Sequence, residues 1–143
     1  MSVKKSNPGF SMVEILTVLA LISILGSYAY PNYQAHILRA HRTEAQAALV
    51  MLASQLETYY AEHHTYEDAN IEQLNGSNQT QNGYYVLSIT DLSPTTYTVL
   101  ATPQGNQLKD RLCQTLTFNQ LGHKGIQEGP GGSPSGTASQ CWE

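Results

Sequence analysis

The sequence predicts an α+β protein: a long N-terminal helix, apolar in its first half and amphipathic in its second, packed on a small antiparallel sheet of three to four strands and closed by a disulfide-bounded C-terminal loop. Three observations predict it. An apolar run begins at Phe10 and passes without a stop into apolar positions recurring every three or four residues up to about Glu62. Two alternating runs, residues 84–90 and 96–102, are joined by Asp91-Leu92-Ser93-Pro94-Thr95, the pattern of a hairpin. The two cysteines, Cys113 and Cys141, enclose a stretch dense in Gly, Pro and Ser.

Residues 10–33 form the hydrophobic segment, and the run FSMVEILTVLALISILGSYAY within it has about the twenty residues that a helix needs to cross a hydrocarbon core. Lys4 and Lys5 precede it, so the positive-inside rule keeps the start cytoplasmic and sends the remainder outward. A secretory signal peptide also has a basic start and an apolar run, but here no small-residue cleavage site closes the run. The turn-like Asn7-Pro8-Gly9 lies ahead of it instead, so a cut after Gly9 would leave the hydrophobic helix on the mature chain. Glu14 is the sharpest feature. A carboxylate within a spanning helix costs about 2.5–3.5 kcal/mol and asks for a partner. A cut after Gly9 creates one, the α-amino group of Phe10, which meets Glu14 best when it belongs to a neighbouring subunit. Gly26 and Pro31 weaken the helix, the proline by removing a backbone donor and crowding the preceding turn, which predicts a bend or local extension there. Tyr28, Tyr30 and Tyr33 suit an interfacial aromatic belt.

Beyond Pro31, residues 34–143 read as a head outside the membrane. Leu38, Ala45, Leu49, Leu52 and Leu56 make the apolar stripe of the helix's second half. Residues 65–83 carry little apolar material and read as a loop with a short helix near residues 70–74. In the hairpin, Tyr85, Leu87 and Ile89 share one face, as do Tyr97, Val99 and Ala101, both suited to cover the helix stripe. A third strand is expected over residues 112–119. Residues 125–139 would form a mobile tail if left alone. Cys113 and Cys141 have no zinc-site spacing and read as one disulfide formed in an oxidising compartment, stabilising the head by roughly 3.5 kcal/mol in the chain-entropy model.

The composition argues against several functions. Charged residues are 13% of the chain and the formal charge is −4. Setting aside Lys4 and Lys5 leaves Arg39, Arg42, Lys109, Arg111 and Lys124 against eleven acidic residues, which does not favour a nucleic-acid groove. His36, His41, His63 and His64 are read as surface residues, because no carboxylate or thiol set completes a coordination sphere; neither a metal nor a cofactor is expected. No nucleophile–base pair or acid dyad stands at motif spacing, so no enzyme is expected.

Gly9-Phe10-Ser11-Met12-Val13-Glu14 followed by the apolar run resembles the prepilin cleavage and methylation motif of type IV pilins and pseudopilins. The resemblance implies that residues 1–9 are a leader, that prepilin peptidase cuts between Gly9 and Phe10, that Phe10 is then N-methylated, and that Glu14 guides assembly. It implies the type IV pilin fold, with residues 65–83 as the αβ-loop and residues 113–141 as the D-region. Tyr97-Thr98-Val99-Leu100-Ala101-Thr102-Pro103, then Asp110, Cys113, Leu116, Gly122 and Cys141-Trp142, are similar to PilE-type minor pilins. The implied protein is a structural subunit of a type IV pilus, minor rather than major, serving pilus biogenesis, twitching motility, adhesion or DNA uptake. Its partners would be other pilin subunits, the peptidase, the inner-membrane assembly platform and, before assembly, lipid. It would sit in the inner membrane with its head in the periplasm and later in an extracellular fibre. Two alternatives stand beside it: a type II secretion pseudopilin, disfavoured by the disulfide loop where major pseudopilins end in a calcium site, and a DNA-binding competence pilin, which would need Lys109, Arg111 and Lys124 to cluster.

Overall fold

A computed structural model describes residues 9–142; the rest of the leader reading, residues 1–8, lies outside them. The chain divides into two compact units, Met1–Ile37 and Leu38–Glu143.

In the first unit the described structure is helical from Met12 onward, the start of α1 (Met12–His63). The helix assignment runs unbroken through Gly26 and Pro31. Its side chains are uncovered: Phe10 is 81% exposed and Leu25 70%. Among the described residues this is the one helix with a stretch long and apolar enough to cross a membrane, and none of that stretch is buried.

The second unit holds the core. α1 contributes Ala45, Leu49, Leu52, Ala53 and Leu56, all buried, on the single face that three- and four-residue spacing brings together. Four antiparallel strands follow in chain order, β1 (Tyr85–Thr90), β2 (Thr98–Pro103), β3 (Thr115–Asn119) and β4 (Lys124–Gln127). Their register sets Leu87, Ala101, Leu116 and Ile126 in one row, and Ile89, Val99, Phe118 and Lys124 in the next. Alternation along each strand puts both rows on one face of the sheet, which is why Tyr85, Leu87, Val99, Ala101 and Leu116 join the core cluster. This is the predicted pairing of apolar faces, with Ile89 only half-buried.

The differences from expectation lie at strand ends. β2 begins at Thr98 rather than Thr96, because the Ser93 hydroxyl accepts from the Thr96 amide at 2.9 Å and holds residues 93–96 in a turn. β3 begins at Thr115 rather than residue 112: Gln114 takes φ 47°, and the Leu112 carbonyl accepts from Gly136 instead of from a strand. β4 occupies the start of the stretch expected as a loop pinned by the disulfide. A Cβ on Gly125 would stand 2.5 Å from the Thr117 hydroxyl, so the residue that reads as loop composition is there for close strand pairing. The short helix in the loop is α2 (Ile71–Asn75), capped by Asn70, and the C-terminal turn is α3 (Ala138–Cys141).

Candidate functional site

The structure separates the predicted site residues into two groups. Gly9, Phe10 and Glu14 lie at the exposed start of the first unit, and Phe10, Glu14, Ile15, Val18 and Leu19 line one shallow hollow along the helix. The Thr17 hydroxyl donates to the Glu14 carbonyl at 2.8 Å; among the described residues nothing pairs with the Glu14 carboxylate. Residues 12–33 present an apolar surface broken by this single charge.

In the head, Cys113 and Cys141 are joined, both fully buried, 28 positions apart. The disulfide is one of several fastenings on the D-region. Ser135 and Gly136 amides donate to the Arg111 and Leu112 carbonyls at 3.0 and 2.9 Å. A Cβ on Gly136 would meet the Leu112 carbonyl oxygen at 2.8 Å, so this approach requires glycine. The buried Gln114 side chain donates to the Asp110 carbonyl and accepts from Gly131, and Gln46 of α1 donates to the Cys141 carbonyl at 2.7 Å. Trp142 donates from its indole nitrogen to the Gly125 carbonyl on the edge strand β4, with the Lys124 ammonium 5.5 Å from its ring centre. The C-terminal residues thus cover an edge that would otherwise be open to pairing.

Where the head begins, a buried polar cluster fastens α1. Arg42 donates twice to the Asp110 carboxylate, at 2.6 and 2.9 Å, with both residues buried. Fully buried Gln107 donates from its amide nitrogen to the Tyr85 hydroxyl at 2.8 Å, the Leu38 carbonyl at 3.2 Å and Asp110 at 3.2 Å. Its oxygen is therefore the atom facing His41 Nδ1 at 2.9 Å, which assigns the imidazole proton to Nδ1. The His41 ring stacks on Tyr84 with centres 3.5 Å apart. Burial first, and then the Asp110 charge, push the Tyr85 phenol well above its ordinary pKa. These contacts correct two sequence readings: His41 is a packed residue rather than a surface one, and Arg42 is spent on Asp110 and unavailable to an external anion.

The αβ-loop is tied to α1 twice. The Asn82 backbone and side-chain amides both donate to the Glu44 carboxylate at 2.8 Å. Burial opposes ionisation of Glu44, but these hydrogen bonds outweigh it and lower its pKa. Glu57 accepts from the Tyr66 hydroxyl at 3.1 Å and the Tyr97 hydroxyl at 3.0 Å. Desolvation, then Glu57, raise the Tyr66 pKa to about 12, above the roughly 10 of an unfolded chain. A raised folded-state pKa means stability that is fully present below pH ~10 and lost as pH climbs towards 12. The urea midpoint should therefore fall over that range, and more shallowly in Glu57→Gln; an equal slope in both proteins would exclude this link.

Of the remaining basic residues, Lys109 and Arg111 are exposed on either side of Asp110, Lys124 is exposed on β4, and Arg39 is exposed on α1 and engaged in a contact. Among the described residues no group of three metal-ligating side chains occurs. Asp110 was legible as part of a sequence pattern, but Gln107, Gln114 and the Glu44–Asn82 pair carried no local signal.

An uncovered apolar helix with one charge, continuing into a head whose C-terminus is stapled across its last strands, is the build of a filament subunit held in a membrane. A family profile described as "Type IV minor pilin ComP, DNA uptake sequence receptor" matches residues 31–117, and the chain belongs to that family. Relatives include the type IV major pilin PilA of Myxococcus xanthus strain DK1622, 32% identical over 71 residues, covering 48% of this chain and 32% of that protein. The major pilin PilE1 of Neisseria gonorrhoeae is 30% identical over 82 residues, covering 57% and 38%. The type II secretion system core protein G of Escherichia coli K12 is 31% identical over 62 residues, covering 43% of each. The chain thus spans about a third of the length of the first two relatives. The crystal structure of the Neisseria meningitidis non-core minor pilin PilV superposes with a TM-score of 0.55 at 23% identity, covering 71% of this chain and 97% of that one, a likeness of fold. The fold is that of a type IV pilin.

Proposed function

We propose that this chain is a minor structural subunit of a type IV pilus. The observation that carries this reading is the uncovered apolar helix whose one carboxylate, Glu14, has no partner among the described residues. Prepilin peptidase removes residues 1–9, the Phe10 amine is methylated, and the helix waits in the inner membrane with the head in the periplasm. The assembly platform then extracts it, and packing against the helices of other subunits replaces lipid. Glu14 sets the axial register, because its carboxylate is neutralised only where a neighbour's Phe10 amine stands beside it. Gly26 and Pro31 are where the helix extends on assembly.

Intact mass of the membrane-extracted protein should correspond to loss of residues 1–9 and gain of one methyl group. Glu14→Ala should remain in the membrane and fall at least about tenfold in sheared fibres, in line with a charge pairing of the size above. Wild-type incorporation of that variant would refute the register role, and an intact leader in peptidase-competent cells would remove the pilus reading.

A second reading, a DNA receptor on the fibre, is favoured by the description of the matching family and by the exposure of Lys109, Arg111 and Lys124. Against it stand the acidic balance of the chain and the loss of Arg42 to Asp110. Gel shifts with short duplexes at two salt concentrations decide it: receptor binding should weaken with salt and with Lys109→Ala or Arg111→Ala.

A further inference from the structure

We infer that the cluster of Arg42, Asp110, Gln107 and His41 is a stop that fixes where unwinding of α1 ends, so that the segment before Leu38 loses helical structure while the head stays folded. The unequal construction of the helix on the two sides of this cluster carries the inference. None of residues 12–37 is buried, and Pro31 has no N–H to return to the Ser27 carbonyl. Gly26 adds backbone freedom, and the Ser23 and Ser27 hydroxyls donate to the carbonyls of Leu19 and Ile24, a local bond that competes with the helix ladder. Away from lipid, a stretch like this opens one residue at a time at nearly no free-energy change per step, since helix propagation constants lie near one. Backbone bonds alone therefore set no end point.

The end point comes from side chains. At the start of the head the Gln107 amide donates to the Leu38 carbonyl, a group that must leave its place if that turn unwinds. Three residues on, His41 is held by Gln107 and stacked on Tyr84, and Arg42 is paired in two hydrogen bonds with buried Asp110. Withdrawing Arg42 strands a buried carboxylate, which suppresses opening beyond this point by at least about a hundredfold. The contacts fall within residues 38–42, the first five positions of the head unit, so the transition is abrupt. If the chain is a fibre subunit, as proposed above, load enters through α1, and the stop keeps elongation of the helix from reaching Ala45 and Leu49 in the core.

Hydrogen exchange on the full chain in detergent micelles tests it. Amides of residues 32–37 should exchange at least about a hundredfold faster than those of residues 43–52, with the step at Leu38. Asp110→Asn should move the step into residues 43–52, with β1 and β2 amides losing less protection than those of residues 43–52. A gradual rise in protection across residues 32–52 in the wild-type protein overturns the inference, and so does an unmoved step in Asp110→Asn. Should that variant lose as much protection in the sheet as in residues 43–52, the stop is inseparable from the fold and the inference fails. Because no fibre is needed, absence of the protein from pili would sink the filament reading and leave this step in place.

Discussion

Asp110→Ala should destabilise the head by about 3–5 kcal/mol, the usual effect of removing one partner from a buried ion pair. Arg42 and Asp110 are 6% and 3% exposed, so neither charge has water to fall back on. Truncating Asp110 leaves the Arg42 guanidinium without its two acceptors and removes one acceptor from Gln107, whose other bonds hold Tyr85 and Leu38. For a unit of this size the loss corresponds to a fall in Tm of more than about 12 °C. Trp142, the single tryptophan of the sequence, reports unfolding without a label. The double variant Arg42→Met with Asp110→Leu should recover most of the loss, because both charges leave together and their volume is filled by apolar atoms. Equal destabilisation in the single and double variants would mean that packing, and not the stranded charge, accounts for the effect.

Replacing both Cys113 and Cys141 by serine should cost about 3.5 kcal/mol in the chain-entropy model for a loop closed over 28 positions. Two structural facts add to the loss. Both cysteines are buried members of the apolar core cluster, so serine hydroxyls would enter an apolar site. The Cys141 carbonyl and the Trp142 indole are the two points at which the C-terminus bonds α1 and β4, and without the covalent link both become easier to release. Limited proteolysis should then cut within residues 125–140, and the wild-type protein should be cut there more slowly. An unfolding free energy from urea titration within about 1 kcal/mol of wild type would mean that the hydrogen bonds through Gln114, Arg111 and Leu112 hold the D-region by themselves.

The readable part of the fold was periodic. Leu49, Leu52 and Leu56 announce the buried face of α1 because a helix repeats every 3.6 residues, and Leu87, Val99 and Ala101 announce the sheet face because a strand repeats every two. Glu14 stood out because one charge in an otherwise apolar span is conspicuous wherever the chain goes. Strand ends were less legible: β4 was hidden in a glycine-rich stretch, since Gly125 marks a close strand contact by the same letter that elsewhere marks a turn. Arg42 illustrates the limit. On an amphipathic helix it reads as one more solvated charge, and only Asp110, 68 positions away, makes it a buried anchor.

By itself the sequence determined the apolar length of the anchor, the position of its one charge, the two periodicities that pair helix with sheet, and the pair of cysteines available to close the C-terminus. Those are properties of neighbouring residues, and local sterics and hydrophobicity act at that range. The tertiary structure alone decided which charges are buried, which glycines are contacts, and where along a continuous helix the head takes hold. Each of these depends on groups brought together from distant parts of the chain, whose free energy is set by exclusion of water that only the packed fold provides.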